Sequence, residues 1–351
     1  MIRSVDYRST GVDQKAALQA LRRIAPLLES TRTAQVVGDM GLFAGVFRLP
    51  VGKQHPVLLA SSDCIGTKLI IASLARKFDT VGADLVHHCI NDLICGGGEP
   101  LFFLDYIACG RLDPGVVAEI VSGIAQSCQR LGIALLGGET AELPNLLKPD
   151  SFDLSGTIIG WADEADLISG RDIRPGDVII GLPAIGLHTN GYSLARTVLL
   201  DQSGLKLHDY LPELGCTLGE ELLRVHPCYL PAVRELRSRI NLKGIAHITG
   251  GGIEGNLRRI LPPHCQAQVD YGAWRVPPIF DLIQRRGPVE LEEMRRVFNL
   301  GVGMALVVSE LDAEKIVSRK VAKSQRSKTH SDRNVESGIE QGRPFQIGRI
   351  I

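Results

Sequence analysis

Several apolar runs in this sequence end on a carboxylate beside a glycine-bearing or polar turn. PVLLASS ends at Asp63 just before Gly66-Thr67-Lys68, Asn91-Asp92 closes an apolar helical stretch, Asp105 lies inside LFFLDYIA, and Glu139 follows Gly137-Gly138. Magnesium takes one or two carboxylates together with phosphate oxygens and water, so acids at strand ends form a metal-phosphate site if the fold converges them. Taken singly, each acid serves equally well as a cap or a salt-bridge partner. Standard nucleotide loops are absent. Gly66-Thr67-Lys68 lacks the upstream glycine and the residue order of a Walker A loop, and no GxGxxG opens a helix after a strand. His88 and Asp92 are four apart on one helical face, a spacing that suits a metal pair. We read them instead as an ordinary hydrogen-bonded pair.

The second half carries two polar loops, Gly186-Leu187-His188-Thr189-Asn190-Gly191 and His247-Ile248-Thr249-Gly250-Gly251-Gly252, each after an expected strand and before an expected helix. Amides freed by glycines at a helix start make an anion nest. The same glycines would also serve a plain tight turn, and a histidine such as His247 is by itself more often structural than catalytic.

The elements that must position these groups follow from periodicity. Asp13 is an expected N-cap for a helix with Leu18, Leu21, Ile24 and Leu28 on one stripe, ahead of a glycine-containing loop through Gly38, Gly41 and Gly45. Strands are expected at 56–62, 101–108, 133–136 and 154–161, and helices at 79–93 and after Asp113-Pro114. On the strand at 101–108, Asp105 shares a face with Leu101, Phe103 and Ile107, so it needs a partner. A turn at Arg174-Pro175-Gly176-Asp177 opens a second series: strands at 178–183, 244–249 and 302–309, helices after Gly191 and Gly252, and a last strand at 345–351. The fold class is therefore mixed α/β in two domains, 1–165 and 166–351. The segment 318–341 is polar and charge-dense, and we read it as an exposed helix end and loop.

Composition limits the function classes. A chain of 351 residues with 44% hydrophobic and 22% charged residues has enough apolar matter for two packed cores. Lys plus Arg and Asp plus Glu both number 39, which removes the basic footprint of a nucleic-acid binder. The eight cysteines form no CxxC pair, as expected for reduced thiols in the cytoplasm, and no apolar run has the length of a membrane span. The first ten residues hold no apolar stretch, so no export signal is expected.

Taken together, SSDCIGTKL, INDLICGGGEPLFFLDY, LLGGETAE, GLHTNGYSLAR, AHITGGG and FNLGVGM resemble, in order and spacing, the aminoimidazole ribonucleotide synthetase (phosphoribosylformylglycinamidine cyclo-ligase) family. The resemblance covers roughly residues 5 to 310 and resumes at the last strand. It implies a homodimer in which amino-terminal sheets pair into a shared barrel flanked by carboxy-terminal α/β domains, with the active site in the cleft between domains. It also implies a reaction: formylglycinamidine ribonucleotide and ATP, with Mg2+, give aminoimidazole ribonucleotide, ADP and phosphate. Phosphorylation of the formyl oxygen makes an iminophosphate, the amidine nitrogen attacks that carbon, and phosphate departs as the ring closes.

Carried over by motif, Asp63, Gly66, Thr67, Lys68, Asn91 and Glu139 are expected at ATP, and Asp63, Asp92 and Asp105 at the metal. Lys68, His188, Asn190 and His247 are the candidates for catalysis, and Thr249, Gly250, Gly251 and Gly252 for the ribose phosphate. The chain departs from the family at Asp39, Cys64, His87, His88 and Gly255, and each departure weakens a local assignment. Two alternatives stay open. One is an ATP-dependent relative such as a thiamine-phosphate kinase or a selenophosphate synthetase, although the latter wants a reactive cysteine near the start and the first here is Cys64. The other is a non-catalytic nucleotide-binding paralogue, which retention of Asp63, Lys68, Asp92 and Glu139 argues against.

Overall fold

The computed structural model describes residues 13–38, 44–317 and 343–351. Asp39, Gly41 and the polar segment 318–341 lie outside the described residues. The amino-terminal half runs α1 (Gln14–Ser30), β1 (Val36–Val37), β2 (Val46–Phe47), β3 (Pro56–Cys64), α2 (Lys68–Ala75), α3 (Asp79–Cys95), β4 (Glu99–Cys109), α4 (Pro114–Leu131), β5 (Ala134–Glu142) and β6 (Phe152–Asp163). Asp13 caps α1 by accepting from the Lys15 and Ala16 amides, and Asp113 caps α4 through Gly115, with Pro114 in the first turn.

Strands β3, β6, β4 and β5 form one sheet in that order, antiparallel except for the β4–β5 pair. Helices α3 and α4 cover one face of it. They approach closely where Gly82 and Gly123 face the opposite backbone, since an added Cβ at these positions would strike the Ile120 and Asp79 carbonyl oxygens respectively. Strand β6 shows the two faces plainly: Leu154, Gly156, Ile158, Gly160 and Ala162 are buried under the helices, and their alternates are not. On the other face Leu58 is 63% exposed, and Tyr106 is exposed as well.

The carboxy-terminal half runs β7 (Val178–Pro183), α5 (Tyr192–Arg196), β8 (Tyr210–Leu211), β9 (Cys216–Thr217), α6 (Leu218–Leu222), α7 (Leu230–Arg237), β10 (Gly244–His247), α8 (Gly252–Arg258), β11 (Ala267–Val269), α9 (Pro278–Arg286), α10 (Leu291–Val297), β12 (Val302–Val308), α11 (Glu310–Val317) and β13 (Phe345–Ile350). Its sheet has the order β10-β12-β7-β13-β11 and is antiparallel throughout. Strands β7 and β12 are buried along almost their whole length, as their unbroken apolar sequences require. The first sheet ends at Asp163 and the second begins at Val178. No helix among the described residues is long and apolar enough to cross a membrane.

Candidate active site

Helix α3 is the spine of the site. Asp84, His88, Asn91 and Asp92 recur at helical spacing and form one polar stripe on a helix otherwise buried by apolar residues. That stripe meets the carboxy-terminal half at every step. Asp84 Oδ1 accepts from the His226 backbone N–H (3.0 Å), and His88 Nδ1 is 2.7 Å from Thr189 Oγ1. Asn91 Nδ2 donates to Pro227 O at 2.9 Å, while the Tyr229 N–H donates to Asn91 Oδ1 at 2.8 Å. Asp92 Oδ1 is 2.8 Å from His247 Nδ1.

At the open end of the stripe, Asp63 from the end of β3 joins His88, Asp92 and His247. Asp63 Oδ2 is 2.6 Å from His88 Nε2, and its Oδ1 accepts from the Cys64 N–H at 2.7 Å. Ser61 Oγ lies 3.5 Å from Asp92 Oδ2. The expected His88–Asp92 hydrogen bond does not form, because each side chain turns to a partner from another element. The two imidazoles are almost wholly buried, whereas the Asp63 and Asp92 side chains are 37% and 30% exposed. Burial opposes ionisation of all four groups. The adjacent His88 imidazole outweighs it at Asp63 and holds that carboxyl below its usual range, while Asp63 in turn raises His88. Asp92 is lowered because His247 outweighs its burial, and His247 itself is pulled down by burial. A neutral His247 donating from Nδ1 to an ionised Asp92 fits both shifts.

The GLHTNG loop crosses this cluster. His188 takes a left-handed backbone (φ 63°), unusual for a side-chain-bearing residue and a mark of a conformation held by its surroundings. Its Nε2 accepts from the Ile185 N–H at 3.3 Å, and its ring stacks on His226 with centroids 5.0 Å apart. Burial, helped by the neighbouring imidazoles, keeps His188 well below its usual pKa and neutral. Asn190 Nδ2 lies 3.4 Å from Thr189 Oγ1, and its Oδ1 faces Gly250. Thr67 Oγ1 and Ser193 Oγ are 3.1 Å apart, so the Gly66-Thr67 turn touches helix α5 just after this loop. Asn190, Thr189, His247 and the glycine loop are thus brought together.

Gly251 and Gly252 have φ of +100° and +66° at the start of α8. At Gly252 a Cβ would strike the Arg295 carbonyl oxygen, whereas at Gly251 the nearest atoms are 3.8 and 3.9 Å away, so that face of the loop is open. Asn256 holds the loop's shape from below: its Nδ2 donates to the carbonyls of Thr249 (3.2 Å), Gly250 (3.3 Å) and Gly252 (2.9 Å). Neither Asn256 nor Asp84, His226 and Thr189 stands out in the sequence, although the 84-88-91-92 spacing was a readable signal.

Four expected site residues are not gathered here. Lys68 is fully buried and ion-paired with Asp84, and its Nζ donates to Arg224 O (2.7 Å) and His188 O (3.3 Å), so it is committed to internal partners and positions the His188 loop. Asn91 is fully buried and bonds the 227–229 backbone from both ends of its amide. Glu139 pairs in register with Tyr106 on the uncovered face of the sheet, opposite the helices, and accepts from the Thr140 N–H.

Asp105 is aligned with Asp63 across Gly156 but lies two strands away, packed against Gly138. Its burial raises its pKa to about 7. A carboxyl with a raised folded pKa contributes most to stability below its unfolded pKa, and that contribution is lost as pH climbs to about 7. Asp105→Asn should therefore raise the melting temperature at pH 8 more than at pH 5. Equal shifts at both pH values would contradict this placement.

Comparison with known proteins agrees with the resemblance. Residues 42–162 match the family AIR synthase related protein, N-terminal domain, and residues 174–323 match AIR synthase related protein, C-terminal domain. A phosphoribosylformylglycinamidine cyclo-ligase from Thermodesulfovibrio yellowstonii is 46% identical over 313 residues, covering 89% of this chain and 91% of that protein. One from Geobacillus kaustophilus is 45% identical over 312 residues, covering 89% and 90%. Among solved structures, thiamine-monophosphate kinase from Stenotrophomonas maltophilia superposes with a TM-score of 0.66 at 17% identity, covering 94% of this chain and 93% of that one. The hydrogenase maturation protein HypE in complex with ATP gives a TM-score of 0.61 at 16% identity, covering 94% and 85%, so both show a shared fold. By sequence the chain belongs to the aminoimidazole ribonucleotide synthetase (AIR synthase) family, with the phosphoribosylformylglycinamidine cyclo-ligases that it matches over about 90% of its length.

Proposed function

We propose that this protein closes the imidazole ring of aminoimidazole ribonucleotide from formylglycinamidine ribonucleotide, at the expense of ATP, in purine biosynthesis. The observation that carries the reading is the meeting of Asp63 and Asp92 with His247 and the GLHTNG and TGGG loops at one seam between the two halves. Asp63 and Asp92 fit a magnesium ion, since both are partly exposed oxygen donors held on either side of His88. When bound, magnesium supplies neutralisation of charge on the transferring phosphoryl group.

The chain's own residues supply the rest. The TGGG amides, shaped by Asn256, hold the ribose phosphate and fix one end of the substrate. Asn190 orients the polar groups between that phosphate and the carboxylates. His247, neutral and fixed by Asp92, is placed to take the proton lost when the amidine nitrogen attacks the formyl carbon. Folding the substrate back on itself brings nucleophile and electrophile into contact, and burial of the seam keeps water from the iminophosphate. An ATPase assay with and without formylglycinamidine ribonucleotide, followed by detection of the aminoimidazole product, tests the reading. ATP turnover indifferent to that substrate would remove it.

The substrate-phosphate role of the loop gives a sharper expectation. The backbone at Gly251 is left-handed and its outer side is open, so Gly251→Val places methyl groups where the anion would sit. Calorimetric titration should show substrate affinity falling roughly tenfold to hundredfold with ATP binding nearly intact. Equal weakening of both ligands would detach the loop from the substrate.

We also propose a homodimer that covers the open face of the first sheet. That face carries Leu58 and Tyr106 with the partly buried Leu104, Ile159 and Trp161, an apolar patch of the kind that marks an interface. Light scattering at micromolar concentration should give twice the chain mass, and Leu58→Asp should shift it toward monomer. A monomer in the unmutated protein would exclude the shared barrel.

A further inference from the structure

His88, Asp92 and His247 each offer a ligand atom, and the three atoms lie within 4.8 Å of one another. We propose that this triad is a preformed site for a borderline first-row divalent cation of the Co2+ or Zn2+ class, bound through both imidazoles without any nucleotide. Asp63 stands beside it as a fourth donor.

Three observations carry the assignment. First, the His88 ring is fixed from behind: Nδ1 is 2.7 Å from Thr189 Oγ1, which turns Nε2 toward the carboxylates. A ligating histidine is commonly held in this way by a partner on its other nitrogen. Second, His88 Nε2 is buried and stands 2.6 Å from Asp63 Oδ2, yet it is not aligned for an N–H···O bond. Two donors that crowd together without a hydrogen bond between them are arranged like neighbouring ligands of one ion. Third, the His88 and His247 rings, from two different elements, are 5.0 Å apart and nearly edge-to-face at 69°, with a nitrogen of each within 4.8 Å of the other and of Asp92.

Donor chemistry then selects the cation. Magnesium is a hard ion that favours oxygen donors and keeps much of its water, whereas imidazole nitrogens favour zinc, cobalt and their neighbours. Once His88 has given up its proton to the entering cation, two neutral imidazoles with the Asp92 and Asp63 carboxylates carry a charge that matches a divalent ion. The triad with Asp63 as a fourth donor supplies the four ligands of a tetrahedral site. The seam therefore offers nitrogen-rich coordination in the same place where the proposed function puts magnesium with ATP. The present site is defined without nucleotide, so the two readings fail separately.

The test uses the full-length protein stripped with a chelator and titrated with Co2+ in the absence of ATP and substrate. We expect one Co2+ per chain, with visible ligand-field absorption, displaced by Zn2+ but not by a tenfold excess of Mg2+. His88→Ala should weaken binding at least tenfold, while His87→Ala should leave it unchanged, because His87 Nδ1 is engaged with His226 O at 2.7 Å. X-ray absorption of the unmutated Co2+ form should show scattering from two imidazoles, which keeps the proposal testable if a variant fails to fold. An all-oxygen shell, uptake insensitive to His88→Ala, equal displacement by Mg2+, or no uptake at all would each overturn it.

Discussion

Lys68→Met should destabilise the folded protein by about 3–5 kcal/mol, because it leaves the Asp84 carboxylate buried beside His226 without its cation. The expectation follows from where Lys68 lies: its side chain and that of Asp84 are both 0% exposed, and its remaining hydrogen bonds go to the Arg224 and His188 carbonyls. Burial pulls the Lys68 ammonium below its usual pKa and Asp84 pushes back, so the pair is stable only as a unit. Urea unfolding should show the midpoint falling with an unchanged slope, and Lys68→Met combined with Asp84→Leu should recover part of the loss. A folded, normally stable Lys68→Met that had lost only turnover would restore Lys68 to the phosphate.

Asp63→Asn should lower turnover by roughly a hundredfold to a thousandfold while leaving stability within about 1 kcal/mol. Its carboxylate is over one-third exposed, so its ion pair with His88 contributes little to folding. Its place at the end of β3, against His88 and near Asp92, puts its charge where a transferring phosphoryl group would gather its own counter-charge. The loss should fall on kcat more than on KM for formylglycinamidine ribonucleotide, as for an interaction that strengthens in the transition state. Near-normal kcat would move the metal elsewhere on the stripe.

Much of the scaffold was readable from periodicity, and the misses have identifiable causes. The strand expected at 133–136 continues to Glu142, because Gly137 and Gly138 are not a loop: a Cβ at Gly138 would strike the Asp105 carboxylate, so glycine there permits close packing of strands. Helix α2 went unseen because it has eight residues and no side-chain cap bond. Within α3 the apolar stripe through Leu85, Cys89 and Leu93 announced the helix. The polar stripe beside it could not be assigned, since its partners His226, Tyr229 and His247 lie 138 to 155 residues away.

The same distance explains the fate of the candidate residues. Asp63, Asp92, His247, Asn190 and the TGGG loop share a seam because strands β3 and β10 and the loop after β7 all deliver their ends to α3. Lys68 and Asn91 belong to the same motifs but face inward, and motif spacing carries no record of which side of a helix is covered by the other half of the chain. Glu139 and Asp105 differ for another reason. A one-residue step along a strand exchanges faces, so Glu139 points away from the helices while Gly138 points toward Asp105.

The most direct measurement of the proposed chemistry follows one oxygen atom. Formylglycinamidine ribonucleotide labelled with 18O in its formyl group should, with ATP and this protein, release phosphate carrying one labelled oxygen for each aminoimidazole ribonucleotide formed, because the phosphorylated formyl oxygen leaves with the phosphate. Unlabelled phosphate, or phosphate released without ring closure, would contradict the cyclo-ligase account.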